Sequence, residues 1–352
     1  MRRPIIVLGA TVALGMVLTA CGGDDSDTTS EGGGDPESRS LTIYSARDSN
    51  ITDFVIERFE EEYPEYAGNV EVLNLGAQEV LERVRAEASN AQADVWWGGT
   101  QQGLDAAAAE DLLEPIEPAF AADIADEHKD PEGRWFGEIL LPEVIMYNNA
   151  ALSEDEAPQD WDDLLDPKWK DQIIIRDVAA SGTMRSIYAA MILKESPDGQ
   201  DPQPGYEWLK QLDANTAEYA ANPADLYLKM SREQGVLSAW NLQDILIQAE
   251  QQNMPFGYVL PASGAPVLVD GVAAVAGGDS EAATQFLEFL FDDGLRAELA
   301  ADYFQIPTVE ISEQPEWLAN LDLQPMDVDW ATVGQNETDW INYWNENIKN
   351  KG

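Results

Sequence analysis

The chain has one cysteine, Cys21, and one histidine, His128, in 352 residues. A single cysteine excludes any disulfide within the chain. A single histidine leaves one candidate for a histidine-dependent triad. It sits in the charged run Asp126-Glu-His-Lys-Asp130 and reads as a solvated residue rather than a base. No Gly-x-Ser-x-Gly elbow, His-Glu-x-x-His zinc motif or P-loop is present, so a hydrolase reading has little to stand on. Positive charge is also scarce, with 20 Lys and Arg against 66 Asp and Glu, a formal charge of −46. Such a surface repels phosphate backbones and argues against nucleic acid as a partner. Beyond Ile5–Ala20 no stretch is long and apolar enough to span a bilayer.

What is present begins with Arg2 and Arg3, followed by that short apolar run, the pattern of a signal-peptide core over residues 1–20. The run ends in Leu18-Thr-Ala-Cys21-Gly-Gly, which resembles a bacterial lipobox. That resemblance implies that Cys21 is the lipid anchor and first residue of the processed protein. Residues 21–40 are rich in Gly, Ser, Thr, Asp and Glu and read as an acidic flexible tether. The expectation is a soluble body held by lipid at the outer face of the cell membrane.

Roughly 310 residues remain from Leu41 onward, the size of two domains or lobes. Leu41–Arg47 reads as a strand, Asp53–Tyr63 as a helix stopped by Pro64, and Val70–Leu75 as a second strand. A helix over Gln78–Ser89, a strand over Ala93–Trp97 and a helix over Gln101–Leu113 follow. This alternation predicts an α/β fold with a mainly parallel sheet, whose ligands sit beyond the carboxyl ends of the strands. Ser45-Ala-Arg47 and Trp97-Gly-Gly99-Thr100 are two such ends. Arg134–Asn148 and Phe256–Val275 read as long extended crossings that enclose a second α/β unit. The arrangement is two lobes joined by a two-strand hinge. Lobe 1 takes 41–146 and 268–305, and lobe 2 takes 147–267. A Trp-rich tail over 306–352 is expected to pack on the outside of the lobes.

The stretch Asp177-Val-Ala-Ala-Ser-Gly-Thr-Met-Arg185 is the strongest ligand candidate. Ile173-Ile-Ile175 before it reads as a buried strand. Met184, Ile187, Tyr188 and Met191 after it make an amphipathic helical stripe. Ser181, Gly182 and Thr183 therefore stand at a strand-to-helix corner, where unpaired backbone N–H groups form an anion site. Arg185 falls off the apolar stripe and reads as a rim residue. Of Trp96 and Trp97, which alternate across a strand, one is expected in the core and the other toward the cleft. Trp240 either stacks on the ligand or packs inside.

At this point the sequence resembles the solute-binding lipoproteins of bacterial ABC importers. The resemblance rests on Leu41-Thr-Ile-Tyr-Ser-Ala-Arg47, Met146-Tyr-Asn148, Trp161-Asp-Asp-Leu-Leu-Asp-Pro-Lys-Trp169, Ala180-Ser-Gly-Thr183 and Val259-Leu-Pro-Ala-Ser-Gly-Ala-Pro-Val-Leu-Val-Asp-Gly271. Within that superfamily the chain is most similar to the ferric-ion, phosphonate and sugar-phosphate group. The resemblance implies a type II periplasmic-binding fold, capture of a small solute between the lobes and delivery to a membrane permease. It implies a monomer with no catalytic residues, no cofactor and no resident metal.

The ferric branch carries a histidine or similar ligand after the first strand and a tyrosine pair in the second lobe. Here Asp48 and Trp240-Asn-Leu-Gln-Asp244 stand there, while Tyr44, Tyr147 and Tyr219 could supply phenolates from elsewhere. Iron is therefore the second reading. A phosphonate or phosphorylated solute is the first, held by Ser45, Arg47, Gly99, Thr100, Ser181, Gly182, Thr183, Trp240 and Ser263. On this expectation Arg47→Ala and Ser181→Ala weaken binding without unfolding the protein. A lipid-anchored hydrolase and a wall-adhesion module are weaker readings, since adhesion has no use for a hinge.

Overall fold

A computed structural model describes residues 38–351, so the signal segment, Cys21 and most of the tether lie outside the described residues. The amino-terminal part is a run of β-α repeats. β1 (Leu41–Ser45) leads to α1 (Ser49–Glu62), β2 (Val70–Asn74) to α2 (Ala77–Glu87), and β3 (Val95–Thr100) to α3 (Gln101–Ala109). β1 pairs in parallel with both β2 and β3. Alternating apolar residues make the strands, and Pro64 follows α1 as its stop. Asp111, at φ 55°, turns the chain after α3 into the short β4 (Leu113–Glu114).

β5 (Phe136–Asn148) is one continuous thirteen-residue strand. The second repeat follows it: β6 (Ile173–Arg176), α4 (Gly182–Glu195), α5 (Gln203–Asn215), β7 (Thr216–Ala220), α6 (Pro223–Ser231), β8 (Leu237–Asn241) and α7 (Leu242–Glu250). β9 (Phe256–Val259) and β10 (Val267–Val275) carry the chain back. α8 (Ser280–Leu290), α9 (Asp293–Asp302), β11 (Ile306–Pro307), α10 (Glu316–Ala319) and α11 (Trp330–Asn347) complete it.

The hinge is written in the register of β5. Its first half, from Phe136 to Pro142, pairs with β10, and its second half, from Glu143 to Tyr147, pairs with β8. β9 also lies on that second half. Two extended passages therefore join the β1–β3 sheet to the β6–β8 sheet, as the two-strand hinge requires. The strand order β2-β1-β3-β10-β5-β8-β6-β7 places the junction at β5.

Each half has its own core. In the first, Trp96 and Trp97 point to opposite faces of β3, as neighbouring strand residues must. Trp97 packs edge-on to Phe286 of α8 at 5.6 Å, and Trp96 joins Leu104, Val80 and Val84 on the other face. Both are buried, so neither reaches the cleft, because helices cover both faces. In the second core, Ile173–Ile175 and α4 pack with Trp340 and Trp344 of α11. Trp344 is fully buried and meets Tyr188 edge-on at 5.1 Å. One face of the tail helix α11 thus closes this core, because α4 is apolar on nearly every side, while the rest of α11 stays at the surface.

Candidate functional site

A cleft of about 990 Å³ lies between the two repeats. Its walls follow from topology. In a parallel β-α repeat each helix begins where its strand ends, so helix N-termini gather at one edge of the sheet. Here the N-caps of α1, α2, α3, α4, α6 and α7, namely Asp48, Gly76, Thr100, Ser181, Asn222 and Asn241, all line the cleft. Each helix presents unpaired N–H groups and a partial positive charge there. Ser181 Oγ accepts from Met184 N at 3.2 Å, and Asn222 Oδ1 accepts from Asp225 N at 2.8 Å. The caps on each side come within contact range: a Cβ at Gly182 would lie 3.0 Å from Thr100 Cγ2, and one at Gly76 would lie 3.6 Å from Ala180 O.

Two arginines border this space. Arg47 Nη2 lies 2.7 Å from Glu138 Oε2 and 2.7 Å from Asp270 Oδ1. Glu138 Oε1 pairs with Arg296 Nη1 at 2.8 Å, and Glu138 Oε2 accepts from Trp97 Nε1 at 2.6 Å. Burial alone would raise the Glu138 carboxyl, but Arg47 and Arg296 overcome it and hold it below the ordinary range. Asp270 is pushed up to about 6 by burial, which Arg47 only partly offsets. Arg47 therefore borders the cleft with its charge already neutralised.

Arg176, the last residue of β6, differs. It is 7% exposed, lines the cleft and forms no ion pair among the described residues. Its Nη1 reaches only the carbonyl oxygens of Asp177 and Ala220, at 3.2 and 3.4 Å. Burial lowers its pKa, and the carboxylates of Asp177, Glu79 and Asp225 only partly offset this, so its charge is poorly solvated.

Carboxylates occupy the floor. Asp244 Oδ2 accepts from Tyr227 Oη at 2.9 Å, Trp240 Nε1 at 3.0 Å and Asn241 Nδ2 at 3.0 Å. Burial nevertheless raises its pKa above the usual carboxylate range. Burial, then the Asp244 carboxylate, pushes the Tyr227 phenol well above its ordinary value.

Of the residues singled out from sequence, Arg47, Thr100, Ser181, Gly182, Thr183 and Trp240 line the cleft. Ser45, Gly99 and Ser263 are not among the lining residues. Ser45 is buried at the end of β1, its Oγ accepting from Arg47 N. Gly99 packs so closely that a Cβ would sit 2.9 Å from both Leu104 and Trp96. Ser263 is exposed, and its Oγ donates to Asp160 Oδ1 at 2.6 Å. Arg185 is half-buried in a 2.7 Å pair with Glu337 of α11. Sequence reasoning missed Arg176, Asn222 and Tyr227. Two signals were available: Arg176 is the first charge after the Ile173–Ile175 run, and Asn222-Pro223 is a helix-start pair.

Tyr44, Tyr147 and Tyr219 do not line the cleft. Tyr44 donates to Glu87 and Tyr219 to Asp213. Among the described residues no group of three or more His, Cys, Asp or Glu side chains converges to hold a metal ion. No described helix is long and apolar enough to cross a membrane.

Comparison with known proteins accords with this geometry. The family described as bacterial extracellular solute-binding protein matches residues 92–335. A probable ABC transporter periplasmic-binding protein of Sinorhizobium fredii is 27% identical over 86% of this chain and 84% of its own. Iron uptake protein A1 of Synechocystis is 26% identical over 88% of this chain and 87% of its own. The structure of the periplasmic binding protein AfuA from Actinobacillus pleuropneumoniae, with fructose-6-phosphate bound, superposes with a TM-score of 0.76 at 24% identity. It covers 88% of this chain and 99% of that one. These relatives are binding proteins of transporters rather than enzymes. With its two sheets, its hinge through β5 and its cleft of helix N-termini, the chain belongs to the bacterial extracellular solute-binding proteins, the extracytoplasmic components of ABC importers that hand a small solute to a membrane permease.

Proposed function

We propose that the solute is a small phosphorylated or phosphonate anion, held by Arg176 and by the N-termini of α4 and α6. The observation that carries this reading is Arg176, a buried guanidinium that makes no ion pair among the described residues in a chain of 66 acidic residues. Such a group is costly to keep unless a ligand completes it. A phosphoryl group offers the oxygens that a guanidinium fork and helix N–H groups both require. Ser181, Gly182 and Thr183 present that helix end, and Thr100 faces them from the other side of the cleft. A ligand touching both walls favours the closed form by its differential affinity for that form.

Ferric iron is the second reading, favoured by the iron-uptake relative and by Tyr227 and Asp244 on the floor. Against it, Tyr227 is the lone tyrosine among the lining residues, and its phenol holds its proton tightly. Attachment through Cys21 to the outer face of the cell membrane, and a monomeric state, complete the proposal.

A thermal-shift panel of sugar phosphates, glycerol phosphates, phosphonates, ferric citrate and neutral sugars tests it. A ligand at about a thousand times its Kd stabilises a protein by about 4 kcal/mol. A shift with a phosphorylated compound is expected. A shift confined to ferric citrate transfers the assignment to iron.

A further inference from the structure

The carboxy-terminal segment runs from the hinge to the corner that carries Ser181–Thr183. At its start, Ala265 N donates to Gln324 O at 2.8 Å and Met326 N donates to Ala265 O at 2.7 Å. Ala265 immediately precedes Pro266, whose carbonyl accepts from Glu143 N at 2.8 Å, where β5 leaves β10 for β8. Trp330, the first residue of α11, packs beside Ile139, Leu141 and Leu268 of the hinge strands. α11 then runs for 18 residues, about 27 Å. Val333, Trp340, Ile341 and Trp344 are buried along one stripe of it and join the core of the second half. It also lies alongside α3, which belongs to the first half.

Two ion pairs take hold of the corner, one midway along α11 and one just past its end. Glu337 Oε2 lies 2.7 Å from Arg185 Nε in the first turn of α4, and Arg185 Nη2 donates to Thr338 Oγ1 at 3.3 Å. Lys349 Nζ lies 2.7 Å from Asp177 Oδ2. The other Asp177 oxygen accepts from Ala180 N at 3.3 Å, one residue before the Ser181 cap. One carboxylate therefore joins the tail to the turn that sets Ser181–Thr183. Burial would raise the Asp177 carboxyl, but Lys349, with the Ala180 amide and Arg176, holds it below the ordinary range. The amides of Asn350 and Lys351 donate to Asp213 at 2.9 and 3.2 Å, so the end of the tail is itself fixed. The four paired side chains are at most 29% exposed, so water screens these pairs less than free surface ones. Apolar burial is non-directional and would cover α4 in several registers; the two pairs fix one.

We infer that residues 324–351 form a strut that sets the position of the ligand corner relative to the hinge. Glu337 and Lys349 are its positioning residues and act on the solute through Arg185 and Asp177. The inference rests on the assignment of Ser181–Thr183 to the solute, and on no particular solute.

Residue-resolved amide hydrogen exchange on the unliganded protein tests it. Lys349→Met keeps the side-chain stem and removes the charge. In it the amides of Ala180, Ser181, Met184 and Arg185 should exchange faster by about tenfold or more. Those of Ile173–Ile175 and of the second half of α4 should be unchanged, with Tm within a few degrees of the parent. Lys349→Arg should restore protection, and Glu337→Gln should loosen Arg185 more than Ala180. Glucose 6-phosphate, glycerol 3-phosphate and ferric citrate are titrated in parallel, and any probe that the parent binds should bind Lys349→Met several-fold more weakly. Unchanged exchange at the corner overturns the strut. So does faster exchange spread evenly over β6 and α4 with a fall in Tm, the mark of a mere cover. Faster corner exchange with unaltered affinity for a bound probe overturns its role in capture. If the exchange result holds and the parent binds no phosphorylated probe, the phosphoryl reading falls and the strut stands.

Discussion

Arg47 and Arg176 occupy equivalent places in the two halves of the molecule, at the ends of β1 and β6 where the strands open on the cleft. Their surroundings are opposite. Arg47 is held by Glu138 and Asp270 and belongs to the hinge. Arg176 touches only backbone carbonyls, and the proposed function assigns it to the ligand. A residue type at a strand end therefore does not define a binding role; what decides is whether the protein itself neutralises the charge. In the first half β5 and β10 bring carboxylates alongside, because the hinge crosses there. In the second half the strand beside Arg176 is β7, which brings the Ala220 carbonyl to it and no ion-paired carboxylate.

The largest expected effect follows from the paired arginine. Arg47→Ala leaves the buried Asp270 without its cation and Glu138 with Arg296 alone, a kind of change that costs about 3–5 kcal/mol. A large drop in Tm is expected in the absence of any ligand. This revises the sequence-based expectation that Arg47→Ala would spare the fold, and a Tm within a few degrees of the parent would contradict the structural role. Arg176→Ala is expected to behave in the opposite way. The fold should stand, while affinity for a phosphoryl ligand falls by the worth of a charged hydrogen-bond set, about 1.5–3 kcal/mol or roughly 10- to 150-fold. Calorimetry and a melt on the same sample decide it.

Glu143→Gln probes the floor. The folded-state pKa of Glu143 lies well above its ordinary value, so the folded protein binds this proton more tightly than the unfolded chain. Stability from this group is fully present below the unfolded pKa, about 4.3, and is lost as pH rises toward the folded value. A glutamine side chain cannot ionise, so the variant should gain stability relative to the parent as pH is raised from about 4 to about 8. Denaturant melts across that range check the sign, and a gain that shrinks with pH would refute it. The smallest effect is expected at the cleft mouth. A methyl at Gly182 meets Thr100 Cγ2 at 3.0 Å, so Gly182→Ala should weaken ligand binding a few-fold by opposing closure. Pairing it with Thr100→Ser should restore affinity, as a double-mutant cycle would show.

The fold was legible because its signals are local. Apolar alternation, helix stops such as Pro64 and the two extended crossings each appear within short stretches of sequence. Ser181–Thr183 was legible for the same reason, since strand, corner and helix are contiguous there. The network around Arg47 was not, because Glu138 lies 91 positions away and nothing distinguishes it among 66 acidic residues. The partner of Ser263 was hidden on the same ground, since its hydroxyl donates to Asp160, 103 positions earlier. The burial of Trp344 is equally hidden, because it looks like an appended aromatic until α4 is seen to need covering.

The most direct test is a crystal structure of the protein grown with the phosphorylated compound that gives the largest thermal shift. The account predicts the phosphoryl group within hydrogen-bonding distance of the Arg176 guanidinium and the amides of Ser181–Thr183. A ligand seated on Tyr227 and Asp244 through a metal ion, with Arg176 untouched, would contradict it.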